Sequence, residues 1–156
     1  MGPINNLNYL IQHIASVINK QADQVLQEQL GIGVSQYKIL SVLEWSPRVQ
    51  QKAIAKALGQ TEASISRQIS LLYKQQLVNK VVDMRNRRAR LIKLTNKGLT
   101  LLEAADKIIR KFHNEQLSSL SNKKKSELYE LLFELHTSIC RHDYSITGTY
   151  IDYISD

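Results

Sequence analysis

Four arginines occupy a span of six positions near the middle of the chain, and their chemistry is distinctive. They are Arg85, Arg87, Arg88 and Arg90, and Asp83 is the only acidic residue near them in sequence. A guanidinium is always charged and presents its N–H donors in a planar fork, which suits phosphates and the narrow minor groove of DNA. A charged turn that only discourages edge aggregation could use lysine equally well. The repeated use of arginine therefore predicts contact with a polyanion.

A second polar set precedes these arginines along the chain. It combines short hydrogen-bonding side chains with one arginine: Thr61, Ser64, Ser66, Arg67 and Gln68. Side chains of these types read base edges when the first turns of a helix enter the major groove. The alternative is a solvated helix face, and the basic segment that follows weighs against it.

Residues that could support a metal site, redox chemistry or catalysis are few. His136 and Cys140 stand four residues apart and His142 follows, but a zinc site needs three or four ligands. A helix C-terminus opposes thiolate formation at Cys140, and one cysteine excludes a disulfide within the chain. We find no Ser/His/Asp, paired-carboxylate or phosphate-loop pattern. The sequence therefore predicts no enzyme, no metal site and no cofactor, and assigns no role to Cys140.

The net charge of +7 is distributed unevenly over the 156 residues. Residues 35–97 hold 13 Lys/Arg and 3 Asp/Glu, a net charge of +10, so the remainder carries −3. A basic middle between mildly acidic ends is typical of a polyanion-binding segment with flanking elements of another role. No apolar run approaches the roughly 18 residues that span a bilayer, and no signal-peptide pattern opens the chain. We expect a soluble cytoplasmic protein without membrane contact.

Helices must position these side chains, because 6 Gly and 2 Pro supply few of the turns that a many-stranded fold needs. Apolar residues at the helical period predict helices over 4–29, 35–45, 51–58, 61–75, 95–117 and 122–141. Ser35, Thr61 and Thr95 are the predicted N-caps. Residues 77–82 and 91–94 form the only strand pattern, which predicts a hairpin with a charged tip.

The order of these elements predicts a fold class. A short helix, a turn at Gly59 and a second helix describe a helix-turn-helix, and the hairpin after it forms a wing. We predict a mainly α protein with a small β-hairpin, and the family resemblance described next implies a winged helix-turn-helix lobe between long dimerisation helices. The boundaries are 1–34 for the N-terminal dimerisation helix, 35–95 for the DNA-binding lobe, 96–142 for the C-terminal dimerisation helices and 143–156 for a tail.

The segment LGQTEASISRQISLLYKQQLVNKVVDMRNRRARLIKLTNKG, which ends at Gly98, resembles the core of the MarR family of winged-helix transcriptional regulators. The resemblance covers about 35–100, and the helical arms match the family's dimerisation helices in length and order. It implies that Arg88, with Arg87 beside it, is the wing-tip arginine. It also implies that the polar set at 61–68 contacts DNA.

Three positions depart from the family pattern. Asn86 replaces the Asp that usually braces the wing arginines, and Gln76 replaces the Gly that usually ends the recognition helix. Gln76 must therefore adopt a left-handed or alternative cap. The third helix begins near Gln50 without a Ser or Thr, which is a weaker cap.

The resemblance further implies a small aromatic or anionic effector, bound between the DNA-binding lobe and the dimerisation helices. By position, His13, Tyr37 and Trp45 are the candidates to line such a pocket. The competing interpretation is that these three are core or interface residues.

These inferences predict a sequence-specific transcriptional regulator, a repressor released by an effector, that acts as a homodimer on a pseudo-palindromic operator in double-stranded DNA. The dimer is expected because the arms carry wider apolar stripes than one lobe can bury. Two alternatives remain: a DNA-binding architectural protein of low specificity, and a winged-helix protein-interaction module. The four arginines weigh against the second.

Overall fold

The computed structural model describes residues 6–84 and 90–139 as six helices and three short strands. The helices are α1 (Leu7–Leu30), α2 (Val34–Trp45), α3 (Gln51–Leu58), α4 (Glu62–Lys74), α5 (Asn96–Gln116) and α6 (Asn122–Ile139). The strands are β1 (Val49–Gln50), β2 (Val78–Val82) and β3 (Arg90–Leu94). The predicted class, a mainly α fold with a winged helix-turn-helix, is confirmed. Within the described residues the chain forms two compact units, one ending at Ile109 and one beginning at Arg110.

The sheet contains one strand more than the sequence predicts. Strands β2 and β3 form the predicted antiparallel hairpin, with Val78 opposite Leu94 at one end and Val82 opposite Arg90 at the other. Strand β1 adds a third antiparallel strand on the other side of β3, where Val49 pairs with Ile92. The prediction of a two-stranded hairpin was incomplete, because a strand of two residues is too short to show an alternating pattern.

Apolar residues of the first unit form a core beneath the helix-turn-helix. Their burial follows the helical period in α3 and α4, as expected for helices with one face turned inward, whereas α2 is buried on most sides from Gln36 to Leu43. The fully buried large side chains are Leu26, Ile32, Ile39, Leu40, Leu43, Ile54, Ile65, Ile69, Leu72, Leu77, Ile92 and Leu102. This core fixes the directions in which the polar faces of α3 and α4 point.

The start of α2 differs from the prediction. Ser35 is not the N-cap but lies inside the helix, whose N-cap is Gly33. A carboxylate oxygen of Asp23, on α1, accepts a hydrogen bond from the Val34 backbone N–H at 2.8 Å. The Gln36 side chain accepts one from the Gly33 N–H at 3.0 Å. These acceptors satisfy the first amides of α2 without a Ser cap, so the helix begins earlier than the local sequence indicates.

The exit of the wing is fastened to the end of α4 by Thr95. Its hydroxyl donates a hydrogen bond to the Gln76 carbonyl oxygen at 2.8 Å and accepts one from the Gly98 N–H at 2.9 Å. The second bond is the N-cap predicted for α5. A Cβ on Gly98 would overlap the Leu77 carbonyl oxygen, so only glycine allows this close approach. The sequence Leu-Thr-Asn-Lys-Gly therefore joins the wing, α4 and α5.

The second unit contains the end of α5 together with α6. No residue of α6 is buried, although its sequence is rich in leucine. Partial burial lowers the pKa of the His113 imidazole, near the end of α5, because the charged form loses solvation. Of the helices in residues 6–84 and 90–139, none is long and apolar enough to cross a membrane.

Candidate nucleic-acid interface

The second helix of the helix-turn-helix, α4, presents its polar side to solvent. Thr61 is its N-cap, as predicted, and its hydroxyl accepts a hydrogen bond from the Ser64 N–H at 3.2 Å. Arg67 is exposed and lies about 200° around the helix from the buried Ile65, so its side chain projects away from the core. The first turns of α4 can therefore approach a ligand without disturbing the packing behind them.

The other predicted base-reading residues of α4 are less exposed than Arg67. Ser64, Ser66 and Gln68 are half-buried, and the Ser66 carbonyl oxygen accepts a hydrogen bond from the Ser70 hydroxyl at 2.9 Å. Serine and glutamine side chains at the rim of an exposed helix face are within reach of base edges when that face enters the major groove. Arg67 is the member of the set with the longest reach and a positive charge.

The angle between α3 and α4 is fixed at both ends of the turn. Gly59 adopts a left-handed conformation with φ of 60°, a conformation that glycine tolerates at low cost, and it ends α3. The Gln51 side-chain amide, at the start of α3, donates a hydrogen bond to the Glu62 carbonyl oxygen at 3.1 Å. Glu62 also places a negative charge at the N-terminus of α4, where its interaction with the helix dipole stabilises the helix.

Of the four wing arginines, Arg90 lies within the described residues. Arg90 begins β3 and is exposed opposite Val82. Arg85, Arg87 and Arg88 lie outside the described residues, as does Asn86, and their DNA contacts stay predictions.

Two departures from the expected sequence pattern have the expected local result. Gln76 adopts a left-handed conformation with φ of 62° at the end of α4, where glycine would be the favoured residue. Gln50 is the N-cap of α3 and makes no side-chain hydrogen bond to its first turn. Both positions are therefore weaker helix caps than the usual residues would provide.

The three candidate effector residues lie in different surroundings. His13 is exposed on α1 and stacks on Tyr9, with ring centroids 5.8 Å apart. Tyr37 is buried on α2, and its hydroxyl donates a hydrogen bond to the Asp106 carboxylate at 2.8 Å. Trp45 is half exposed at the end of α2. Of the three, Tyr37 has a structural role that accounts for its burial.

A basic groove beside the N-terminus of α4 was not predicted from the sequence. It has a volume of about 660 Å³, and its charged lining residues are Arg48, Lys52, Lys56 and Glu62. The signal was present in the sequence, because Lys52 and Lys56 are four residues apart and so share one face of α3. Within residues 6–84 and 90–139, no group of three or more His, Cys, Asp or Glu residues is placed to hold a metal ion. Cys140 and His142 lie outside those ranges.

Comparisons with known proteins agree with this geometry. Residues 32–89 match the MarR family. The chain is 31% identical over 86 residues to YhbI, an uncharacterized HTH-type transcriptional regulator of Bacillus subtilis. That match covers 55% of this chain and 56% of YhbI, so the chain spans about half the length of this relative.

Solved structures resemble a larger part of the chain. A MepR–DNA complex from Staphylococcus aureus has a TM-score of 0.71 at 28% identity, covering 86% of this chain and 96% of MepR. The PcaV transcriptional regulator from Streptomyces coelicolor, in complex with its natural ligand, has a TM-score of 0.72 at 18% identity, covering 88% of this chain and 96% of PcaV. The likeness to PcaV shows a shared fold.

Proposed function

We propose that this chain, whose residues 32–89 match the MarR family, is a homodimeric regulator of transcription that binds double-stranded DNA sequence-specifically. Family members are regulators rather than enzymes. The observation that carries the proposal is the exposed polar face at the start of α4, centred on Arg67 and backed by a fully buried apolar face. A helix held in this way by a helix-turn-helix is suited to enter the major groove.

The proposed binding mode uses two parts of the lobe. The N-terminal turns of α4 enter the major groove, where Arg67 reads a base edge and Thr61, Ser64, Ser66 and Gln68 contribute shorter contacts. The wing reaches the adjacent minor groove with its arginines, whose charge suits the negative potential of narrow A·T-rich segments. The MepR–DNA complex supports this mode, since it shares the fold and is a DNA complex.

Exposed apolar surface on the helical arms supports the dimer. On α1, Leu7, Leu10, Ile14 and Val17 are exposed, while Ile11 is half-buried. On α6, the exposed apolar residues are Leu128, Tyr129, Leu131, Leu132, Phe133, Leu135 and Ile139. Contiguous apolar surface of this kind marks a protein–protein interface in a folded protein. A two-fold dimer would place two copies of α4 about 34–36 Å apart, on the two halves of a pseudo-palindrome.

We further propose that the protein is a cytoplasmic repressor whose DNA affinity changes when a small aromatic or anionic effector binds. The structure of PcaV in complex with its natural ligand supports a small-molecule partner for this chain. Such an effector binds one conformation of the dimer more tightly than another, and the two conformations differ in the spacing of the two α4 helices. His13 and Trp45, which are exposed, are the stronger candidates for contact with it.

Selection of random-sequence duplexes by the purified protein, followed by sequencing, tests the proposal. A specific regulator enriches a pseudo-palindromic motif. An architectural protein binds with a steep salt dependence but enriches no motif. Failure to retain any duplex would instead favour a protein-interaction module and contradict the proposal.

A further inference from the structure

The basic groove lies on the helix-turn-helix, where β1, α3, the start of α4 and β3 meet. Its walls come from all four elements. Arg48 lies directly before β1, and Val49 lies in β1. Lys52 and Lys56 belong to α3, and Leu91 belongs to β3. Gln60 and Glu62 close the groove at the N-terminus of α4. The groove is therefore adjacent to the helix end that is proposed to enter the major groove.

The groove carries a net positive charge. Three of its lining residues are cationic and one, Glu62, is acidic, which gives a net charge of +2. Arg48, Lys52 and Lys56 are all exposed. The apolar residues Val49 and Leu91 line the same groove, and the stems of long cationic side chains pack against such surface. An anion placed there meets several cations at once.

Hydrogen bonds fix the groove relative to α4. The Gln51 side chain, between Gln50 and Lys52 on the groove wall, is bonded to the Glu62 carbonyl oxygen at 3.1 Å. On the other side, the pairing of Val49 with Ile92 holds the backbone that follows Arg48. The elements that carry the groove cations are therefore fixed relative to the base-reading face of α4.

We propose that Arg48, Lys52 and Lys56 form a clamp for the DNA backbone, which binds the phosphates beside the major groove that α4 enters. The inference rests on the proposed function and adds to it a site that differs from α4 and from the wing arginines. When a helix N-terminus lies in the major groove, the flanking surface meets the sugar-phosphate wall of that groove. Contacts to phosphates set the register and orientation of a protein on the duplex without reading bases.

The phosphate clamp gives a signature that differs from base reading. Each phosphate that a lysine or arginine neutralises releases condensed counterions, so it contributes about 0.9 to the slope of log Kd against log salt concentration. A symmetric dimer contains each residue twice. Loss of one clamp residue therefore lowers this slope by about two, and it weakens binding to every sequence by the same factor.

The test uses Arg48→Gln and Lys52→Gln, which remove the charges while keeping a long polar side chain. Arg48 has φ of 75°, and glutamine, like arginine, has a Cβ, so Arg48→Gln leaves the backbone demand at this position unchanged. Fluorescence polarisation measures Kd for a random-sequence duplex and for the selected operator between about 50 and 200 mM salt. Lys107→Gln, on the exposed side of α5 and outside the groove, is the matched control.

We expect each groove variant to lose about two units of slope on both duplexes, and the Lys107→Gln control to keep the parent slope within error. Melting temperatures equal to that of the parent show that the fold is intact. The clamp is wrong if the parent binds and the groove variants keep its slope, or if only operator binding weakens. If the parent binds neither duplex, the proposed function fails, and the clamp fails with it.

Discussion

At the scale of single residues, Arg67 decides whether α4 reads sequence. Its guanidinium is exposed on the side opposite Ile65 and Ile69, so Arg67→Ala removes a contact without leaving a cavity. We expect operator affinity to fall by roughly 1–3 kcal/mol, with relaxed preference at one base pair, while random-duplex affinity changes less. Electrophoretic mobility shifts on the operator and on its single-base variants measure both effects. Lys74→Ala, at the far end of the same helix, is the control.

An equal loss for Arg67→Ala on operator and random duplex would assign Arg67 to a phosphate instead. The Lys74→Ala control should weaken both duplexes alike or neither, because that end of α4 is remote from the turns that carry the base-reading set.

Gln76 stores a small amount of backbone strain at the end of α4. Its left-handed conformation costs a non-glycine residue roughly 1–2 kcal/mol, and glycine recovers part of this while gaining freedom in the unfolded chain. Gln76→Gly should therefore raise the free energy of unfolding by up to about 1 kcal/mol in urea titrations. Its neighbour Gln75 is in the right-handed helical region, so Gln75→Gly should lower the same quantity by up to about 1 kcal/mol. Matching signs for the two variants would contradict the strain argument.

At the scale of elements, the wing is expected to contribute affinity without contributing to the core. Arg87 and Arg88 lie outside the described residues, and replacing both with alanine removes two of the four arginines in this six-residue span. We expect unchanged thermal stability and weaker operator binding, with a larger loss when the flanks are A·T-rich than when they are G·C-rich. Binding isotherms on operators with the two kinds of flank test this. Unchanged affinity on both would remove the wing from the proposed binding mode.

The bond between α2 and α5 makes Tyr37 a structural residue. Its hydroxyl donates to the Asp106 carboxylate, and both residues are buried. Tyr37→Phe takes this donor from a carboxylate that has little access to water, so the free energy of unfolding should fall by about 1–3 kcal/mol. Chemical denaturation measures it, with Tyr129→Phe on the exposed face of α6 as the control, expected within about 0.5 kcal/mol of the parent. An unchanged denaturation midpoint for Tyr37→Phe would contradict a structural role for the Tyr37 hydroxyl.

At the scale of the whole molecule, the apolar residues of α6 predict the state of assembly. Leu132 is 45% exposed in the single chain, so a carboxylate there does not disturb the protomer core. In a dimer interface an unpaired charge costs about 3–5 kcal/mol, so Leu132→Asp should weaken the dimer at least about 100-fold. Sedimentation velocity at micromolar concentration should show a dimer for the parent and a monomer for Leu132→Asp, with equal helix content by circular dichroism.

Ser126→Asp introduces the same carboxylate into α6 at an exposed polar position, and it should remain dimeric. A monomeric parent at micromolar concentration would overturn the proposed dimer.

The helices and their order follow from the sequence alone, because each helix carries apolar residues at the helical period of 3.6. Local chemistry also predicted the Thr61 and Thr95 caps, since each depends on residues within a few positions. The family resemblance implied a left-handed or alternative cap at Gln76, and the structure has the left-handed one. The start of α2 was decided elsewhere, by the Asp23 carboxylate eleven residues before Val34. The two-residue strand β1 exists only because β3 offers it a partner.

The same division applies to the site. Arg67 and the wing arginines stand out in the sequence because their residue types are concentrated there. The cations of the basic groove, Arg48, Lys52 and Lys56, are also close together in the sequence. The groove itself is not visible there, because β1, α3, α4 and β3 each supply only part of its wall. Leu91 joins that wall only when sheet pairing brings β3 beside β1, and that convergence is a property of the tertiary structure.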